Sequence, residues 1–113
     1  MKIKIHDIFV GYVSWSGGGK HRPVLIFGRS KSKATVYNIT TKYENKSEEI
    51  RSKYFRINDW KQAGLNQQSY IDTVEAVNLP ISSIDTENFI GRLTKNDAKE
   101  LIKFLSENEE NEE

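Results

Sequence analysis

The sequence predicts a mainly β, α+β fold: a small, curled antiparallel barrel with one C-terminal helix packed on it. Three observations predict it. Five or six short runs rich in β-branched and aromatic residues alternate with turns of glycine, asparagine and charge. One segment near the end carries a clear helical period. The length, 113 residues, suits one domain with a single compact core and leaves no room for a second lobe. Any active site then lies on one small surface or between subunits.

The first strand is Ile8 to Val13, followed by Ser14-Trp15-Ser16-Gly17-Gly18-Gly19-Lys20, whose composition is that of a flexible loop. Pro23 to Phe27 reads as a buried strand with its proline at the start, where a missing amide donor does least harm. A basic turn, Gly28 to Lys33, leads to Ala34–Thr41. Its alternation puts Ala34, Val36, Asn38 and Thr40 on one face and Thr35, Tyr37, Ile39 and Thr41 on the other, without deciding which is buried. Tyr54 to Ile57 is a strand, Asn58 to Gly64 a single helical turn capped by Asn58 and stopped by Gly64, and Ser69 to Val77 and Asn88 to Leu93 the last two strands. Thr94 with Asp97 approximates a capping box, and Ala98, Leu101, Ile102 and Leu105 repeat at helical spacing. The expected organisation is one domain over residues 1–106 and an acidic, disordered tail over 107–113.

The formal net charge of +1 conceals an asymmetry. All 17 basic side chains and 11 of the 16 acidic ones lie in residues 1–105, while Glu107, Glu109, Glu110, Glu112 and Glu113 close the chain. A basic body attracts polyanions; a short acidic end is ordinarily a solvated terminus. The absence of cysteine excludes disulfides, a thiol nucleophile and a thiolate zinc site, and points to the cytoplasm. No apolar run approaches a membrane span, and the apolar start breaks at His6-Asp7, too early for a signal peptide. A cytoplasmic protein without a membrane contact is expected.

Absences narrow the chemistry further. Gly18-Gly19-Lys20 lacks both the upstream glycine and the following Ser or Thr of a P-loop, having Ser14 and His21 there. His6 and His21 are the only histidines and form no metal-ligand pair, so neither a metal nor another cofactor is expected. No Gly-x-Ser-x-Gly elbow is present. What remains is a set of donors: Lys20, His21 and Arg22 where the glycine segment meets the second strand, and Thr40 and Thr41 at the end of the third. An arginine fork and a threonine hydroxyl suit a phosphodiester. Equally, Arg22 can be a solvated strand-end residue and Thr40 an ordinary β-branched one.

The chain resembles the MazF/PemK family, ribonuclease toxins of bacterial toxin–antitoxin pairs. The resemblance rests on His6-Asp7-Ile8-Phe9-Val10, on Arg22-Pro23-Val24-Leu25-Ile26, on Val36-Tyr37-Asn38-Ile39-Thr40-Thr41, on Gly64-Leu65 with Ser69-Tyr70-Ile71, and on Ile90-Gly91-Arg92-Leu93 before the last helix. It covers nearly all of residues 6–105. It implies an SH3-like barrel of the CcdB/PemK type, a homodimer, single-stranded RNA as substrate and a cognate antitoxin protein as partner. The implied reaction is metal-free: the substrate 2′-hydroxyl attacks the adjacent phosphate, leaving 2′,3′-cyclic phosphate and 5′-hydroxyl ends. Arg22 and Thr40 match the family's catalytic arginine and threonine. Trp15, Ser16, Gly17, Gly18, Gly19 and Lys20 match a mobile loop that gates the RNA, with Lys42 as a further backbone contact. His21, Thr41 and Glu75 are possible supports, although the arginine that usually follows Glu75 is Asn78 here. Two alternatives from other classes stand beside it: a non-catalytic SH3-like module that binds RNA or another ligand, and a CcdB-like gyrase poison, against which the glutamate-rich C-terminal end argues.

Overall fold

The structure, a computed structural model, describes residues 3–112. Six antiparallel strands form one sheet in the order β4-β5-β3-β2-β1-β6. The strands are β1 (Asp7–Trp15), β2 (Gly18–Arg29), β3 (Lys33–Thr40), β4 (Tyr54–Arg56), β5 (Tyr70–Pro80) and β6 (Ile84–Arg92). Helix α1 (Glu48–Arg51) precedes β4, a 3-10 turn (Ile81–Ser83) joins β5 to β6, and helix α2 (Lys95–Glu112) closes the chain. The sheet is open, with β4 and β6 at its edges. Among the described residues no helix is long and apolar enough to cross a membrane.

Strand β2 lies at the centre because it is apolar on both faces. Val24 and Ile26 join Phe9, Val13, Val36, Leu79 and Ile84 on one side; Leu25 joins Ile8, Ile39, Phe55, Ile71 and Leu101 on the other. Period-2 alternation divides each neighbour the same way, so Ile8 and Phe9 of β1 serve opposite cores. Helix α2 covers the second face through Leu101, Ala98, Phe104 and Leu105, with the Phe104 ring edge-on to Phe55 at 5.6 Å. Ile102, which helical spacing alone assigns to the apolar face, is instead 56% exposed. Phe104 takes the inward position, because the helix meets the sheet along its 101–104–105 ridge. The helix also continues beyond Ser106 to Glu112, through most of the segment expected as a tail; Glu113 lies outside the described residues.

A buried carboxylate ties α2 to the strand β4 connection. Thr94 Oγ1 accepts the Asp97 amide at 3.2 Å, as an N-cap does, but the Asp97 carboxylate does not return to Thr94. It accepts the amides of Asn58 (3.2 Å) and Asp59 (2.8 Å) while fully buried. Residues 60–65 then make a Schellman closure: Leu65 N–H bonds to Trp60 O, Gly64 N–H bonds to Lys61 O, and Gly64 takes φ 95°. A Cβ on Gly64 or Gly91 would collide with the other segment's carbonyl, so this pair of glycines lets the turn lie directly on β6.

His6 occupies a conformation that a side chain rarely adopts, with φ 78°. Its amide donates to Ile26 O at 2.7 Å and its carbonyl accepts Leu93 N–H at 3.1 Å, so it links β2 to the β6–α2 connection. Burial lowers its pKa below 6.5, the Arg92 charge lowers it further, and Asp7 opposes both. Arg92 Nη1 meanwhile bonds to buried Asp7 Oδ1 at 2.8 Å.

Two outcomes follow for stability. Asp97→Ala leaves two inward-facing amides without an acceptor and is expected to cost about 3 kcal/mol, read as a lower urea midpoint. For His6 the depressed pKa means that the unfolded chain binds the proton more readily. Its contribution to stability is therefore complete above the ordinary histidine value of 6.5 and is lost as pH falls through it. His6→Gly should abolish that acid-side loss and, by relieving the positive φ, raise neutral-pH stability by about 1 kcal/mol; urea titrations at several pH values check both.

Candidate active site

Eight of the expected site positions, Trp15 to Arg22, lie on the β1–β2 hairpin. The segment that composition marks as a mobile loop is a tight turn: only Ser16 and Gly17 lie outside the ladder, Trp15 pairs with Gly18, and Gly17 takes φ 95°. Gly18, Gly19 and Lys20 belong to β2. The two glycines lie under aromatic neighbours, and at Gly19 the missing side chain makes room for one. The Trp15 indole sits 3.7 Å from where a Gly18 Cβ would be, and a Cβ on Gly19 would run into the Tyr12 ring. Tyr12 also meets His21 edge-on at 5.1 Å. Trp15 itself is 54% exposed.

Strands β2 and β3 then part. Their ladder runs from Arg29↔Ala34 to Val24↔Asn38 and stops. Beyond it, Gly18 to Pro23 stay with β1, whereas Ile39 and Thr40 stay with Ile71 and Tyr70 of β5. Two further steps of the same register would set Arg22 opposite Thr40, so these two residues face each other across a fork in the sheet. A cavity of about 320 Å³ opens there. Lys20, His21, Arg22, Thr40, Thr41 and Lys42 all line it, and the Leu65–Gln67 segment closes its far side.

Within this cavity Arg22 is half-buried and uncommitted. Its Nε is buried without a hydrogen-bond partner, and no hydrogen bond or ion pair among the described residues involves its guanidinium. Thr40 Oγ1 accepts the Lys42 amide at 3.1 Å, which fixes the oxygen and leaves the hydroxyl proton to donate outward. The arrangement offers a planar charged fork, a hydroxyl donor, two lysines and one imidazole to an oxyanion. Among the described residues no carboxylate lines it. Among the described residues, no group of three His, Asp or Glu side chains is placed to hold a metal ion.

The other expected residues lie elsewhere. Trp15, Ser16, Gly17, Gly18 and Gly19 form the hairpin end and do not line the cavity. Glu75 is exposed in a bulge of β5, because Val77 pairs with Val36 and Asp72 with Asn38, leaving residues 73–76 opposite Tyr37 alone. It does not line the cavity either.

Beside the cavity stand residues that sequence reasoning left out of the site. Asn38, one pair up from the fork, has a buried Oδ1 without a partner. Its cross-strand neighbour Asp72 pairs with Tyr54 on β4. The Tyr54 hydroxyl donates to Asp72, and burial, then the Asp72 charge and that bond, push its pKa up, while the Arg22 charge pulls it down. Tyr70 pairs with Thr40. The signal for them was present in the alternation of β3, but strand pairing across residues distant in sequence was needed to read it.

A larger cavity of about 480 Å³ lies under the C-terminal part of α2, lined by Phe27, Tyr37, Val74, Ile102, Leu105 and Glu109 among others. Tyr37 there is pushed up in pKa by burial and by the Glu109 charge. It holds none of the expected site residues, so size does not mark the chemistry. No protein-family model matches the chain, and no curated protein matches it.

Proposed function

We propose that the chain is a metal-independent endoribonuclease that cleaves single-stranded RNA at short sequences, with an SH3-like barrel, a homodimeric assembly and an antitoxin partner of the MazF/PemK kind. The observation that carries this reading is the uncommitted Arg22 guanidinium opposite the Thr40 hydroxyl in a cavity rimmed by Lys20, His21 and Lys42. A half-buried arginine without an acceptor is a prepared site for an anion, and a phosphodiester supplies two non-bridging oxygens that match its fork.

The chemistry requires no redox partner. The ribose 2′-oxygen attacks phosphorus as its proton leaves, the bond from phosphorus to the 5′-oxygen breaks, and that oxygen takes up a proton. Arg22 stabilises the extra negative charge on the phosphorane, and Thr40 donates to a non-bridging oxygen and orients it. The His21 imidazole at the cavity wall supports the proton transfers. Lys20 and Lys42 hold adjacent phosphates. One observation favours a second reading, an RNA-binding module without catalysis: among the described residues no carboxylate lines the cavity, Glu75 included.

The two readings separate in one assay on purified protein with structured and unstructured RNA. Cleavage of the unstructured RNA unaffected by EDTA, with 2′,3′-cyclic phosphate and 5′-hydroxyl ends, supports the enzyme; 5′-phosphate ends refute the mechanism, and retention without cleavage supports the module. Arg22→Ala should reduce cleavage by about 100-fold or more, the scale of losing one oxyanion donor. Thr40→Val keeps the shape and removes the donor, so it should slow cleavage about tenfold, whereas Thr41→Val should leave the rate near wild type; the reverse order would contradict the register. Binding should also weaken with salt, by roughly 0.7 log units per contacted phosphate for each tenfold rise.

A further inference from the structure

Alternation along β4 and β5 creates a second polar surface. Phe55 and Ile71 point into the core beneath α2, so Tyr54, Arg56, Tyr70 and Asp72 project from the opposite face. Arg22, Asn38 and Thr40 project from that same face, since they alternate in phase with Val24 and Val36. At the far end of the face Val24 and Val36 lie in the core; at this end no apolar cluster covers it. Three half-buried tyrosines occupy it instead, and none belongs to either hydrophobic cluster.

Their geometry is a stack. The Tyr43 ring lies 4.2 Å from Tyr70 at an interplanar angle of 30°, and it meets Tyr54 edge-on at 6.4 Å. The Arg51 guanidinium caps the assembly 5.6 Å from the Tyr43 centroid. Tyr70 is the direct cross-strand partner of Thr40. With neighbouring strands about 5 Å apart, the stack begins one strand from the Thr40 hydroxyl and two from Arg22. Aromatic rings displayed on a sheet face beside a phosphate-sized cationic cavity are the arrangement on which unstacked bases lie, because every base presents a π-face and the sugar-phosphate chain sets the distance from base to phosphate.

We infer that Tyr70, Tyr43 and Tyr54 form a nucleobase platform that receives a base of single-stranded RNA flanking the phosphate held at Arg22 and Thr40. The inference rests on the RNA reading above and assigns a base subsite to it. Tyr70 carries most of the contact because it adjoins Thr40. Tyr43 backs it, and Arg51 adds a cation near the ring and the departing strand. The exposed Trp15 lies outside this platform, at the hairpin end.

The experiment uses short fluorescein-labelled oligonucleotides of 2′-O-methyl RNA, which cannot be cleaved, in versions with one abasic residue at each position in turn. Fluorescence anisotropy with wild-type protein should show a loss of about 5- to 100-fold in affinity at one or two adjacent positions, the scale of one base–aromatic stack. Tyr70→Leu should weaken binding of the intact oligonucleotide by a similar factor and erase the abasic effect at those positions; Tyr70→Trp should preserve both. Because the abasic scan alters the nucleic acid, it reads the contact even if a variant loses stability. An abasic effect that persists in Tyr70→Leu, or is absent in wild type, overturns the platform and leaves the Arg22 site standing. Wild-type protein that binds none of the oligonucleotides overturns both.

Discussion

Everything in this fold depends on β2 being buried on both faces from Val24 to Ile26 and largely exposed where it begins, from Gly18 to His21. From Val24 to Ile26 three consecutive apolar side chains enter two different cores, so this stretch must have strands on both edges and cover on both sides. From Gly18 to His21 the same strand carries glycines, a lysine and an imidazole, which no core rewards. The strand therefore stays between β1 and β3 where it is apolar and parts from β3 over its polar first half, before Val24. The fork is a consequence of that change in composition, and the cavity is the space the fork opens.

Position within the fork accounts for the behaviour of Arg22. One residue before Pro23, it is too close to the core to be fully solvated and too far along β2 to find a partner on β3. A buried charged donor without an acceptor costs more than an ordinary lost hydrogen bond, and such costs persist where a ligand recovers them. Thr40 shows the complementary solution: its oxygen is satisfied locally by the Lys42 amide, so orientation is fixed without using the proton. A rigid hydroxyl and an unpaired guanidinium, held by separate strand pairs, form a preorganised pair of donors.

Much of the architecture was legible in local pattern. The central strand, its proline, the turn at Gly64 and the helix after Thr94 are each written in a few consecutive residues. So is the grouping of Lys20, His21, Arg22, Thr40 and Thr41, since two adjacent antiparallel strands bring their ends together. What local pattern missed were consequences of pairing over distance. Three consecutive glycines signal a loop until Tyr12 and Trp15 are seen lying across two of them. Glu75 looks available until the β3–β5 register is seen to place residues 73–76 in a bulge. Asp97 reads as a capping residue, yet its carboxylate serves amides 38 and 39 residues earlier. Tyr43, Tyr54 and Tyr70 look unrelated because a charged turn and a long connection separate them.

The last feature to place is the acidic end of α2. Glu107 and Glu109 stand at the terminus where the helix dipole is already negative, with no basic residue in the last turn to offset them. That is an unfavourable location unless the charge has solvent or a distant cation for company. The fold puts it against the second face of the sheet, where Glu109 lines the cavity with Phe27 and Tyr37, apart from the cavity of Lys20, Arg22 and Lys42. The two cavities therefore differ in charge: Lys20, Arg22 and Lys42 line the fork, whereas Glu109 shares the other with Lys53. Over distances of about 8 Å, the screening length at physiological salt, such a difference biases the orientation of a long polyanion more than its affinity. Under the proposed RNA reading, that bias suits a strand lying across β2, β3 and β5, along the line from Arg22 through Thr40 to Tyr70.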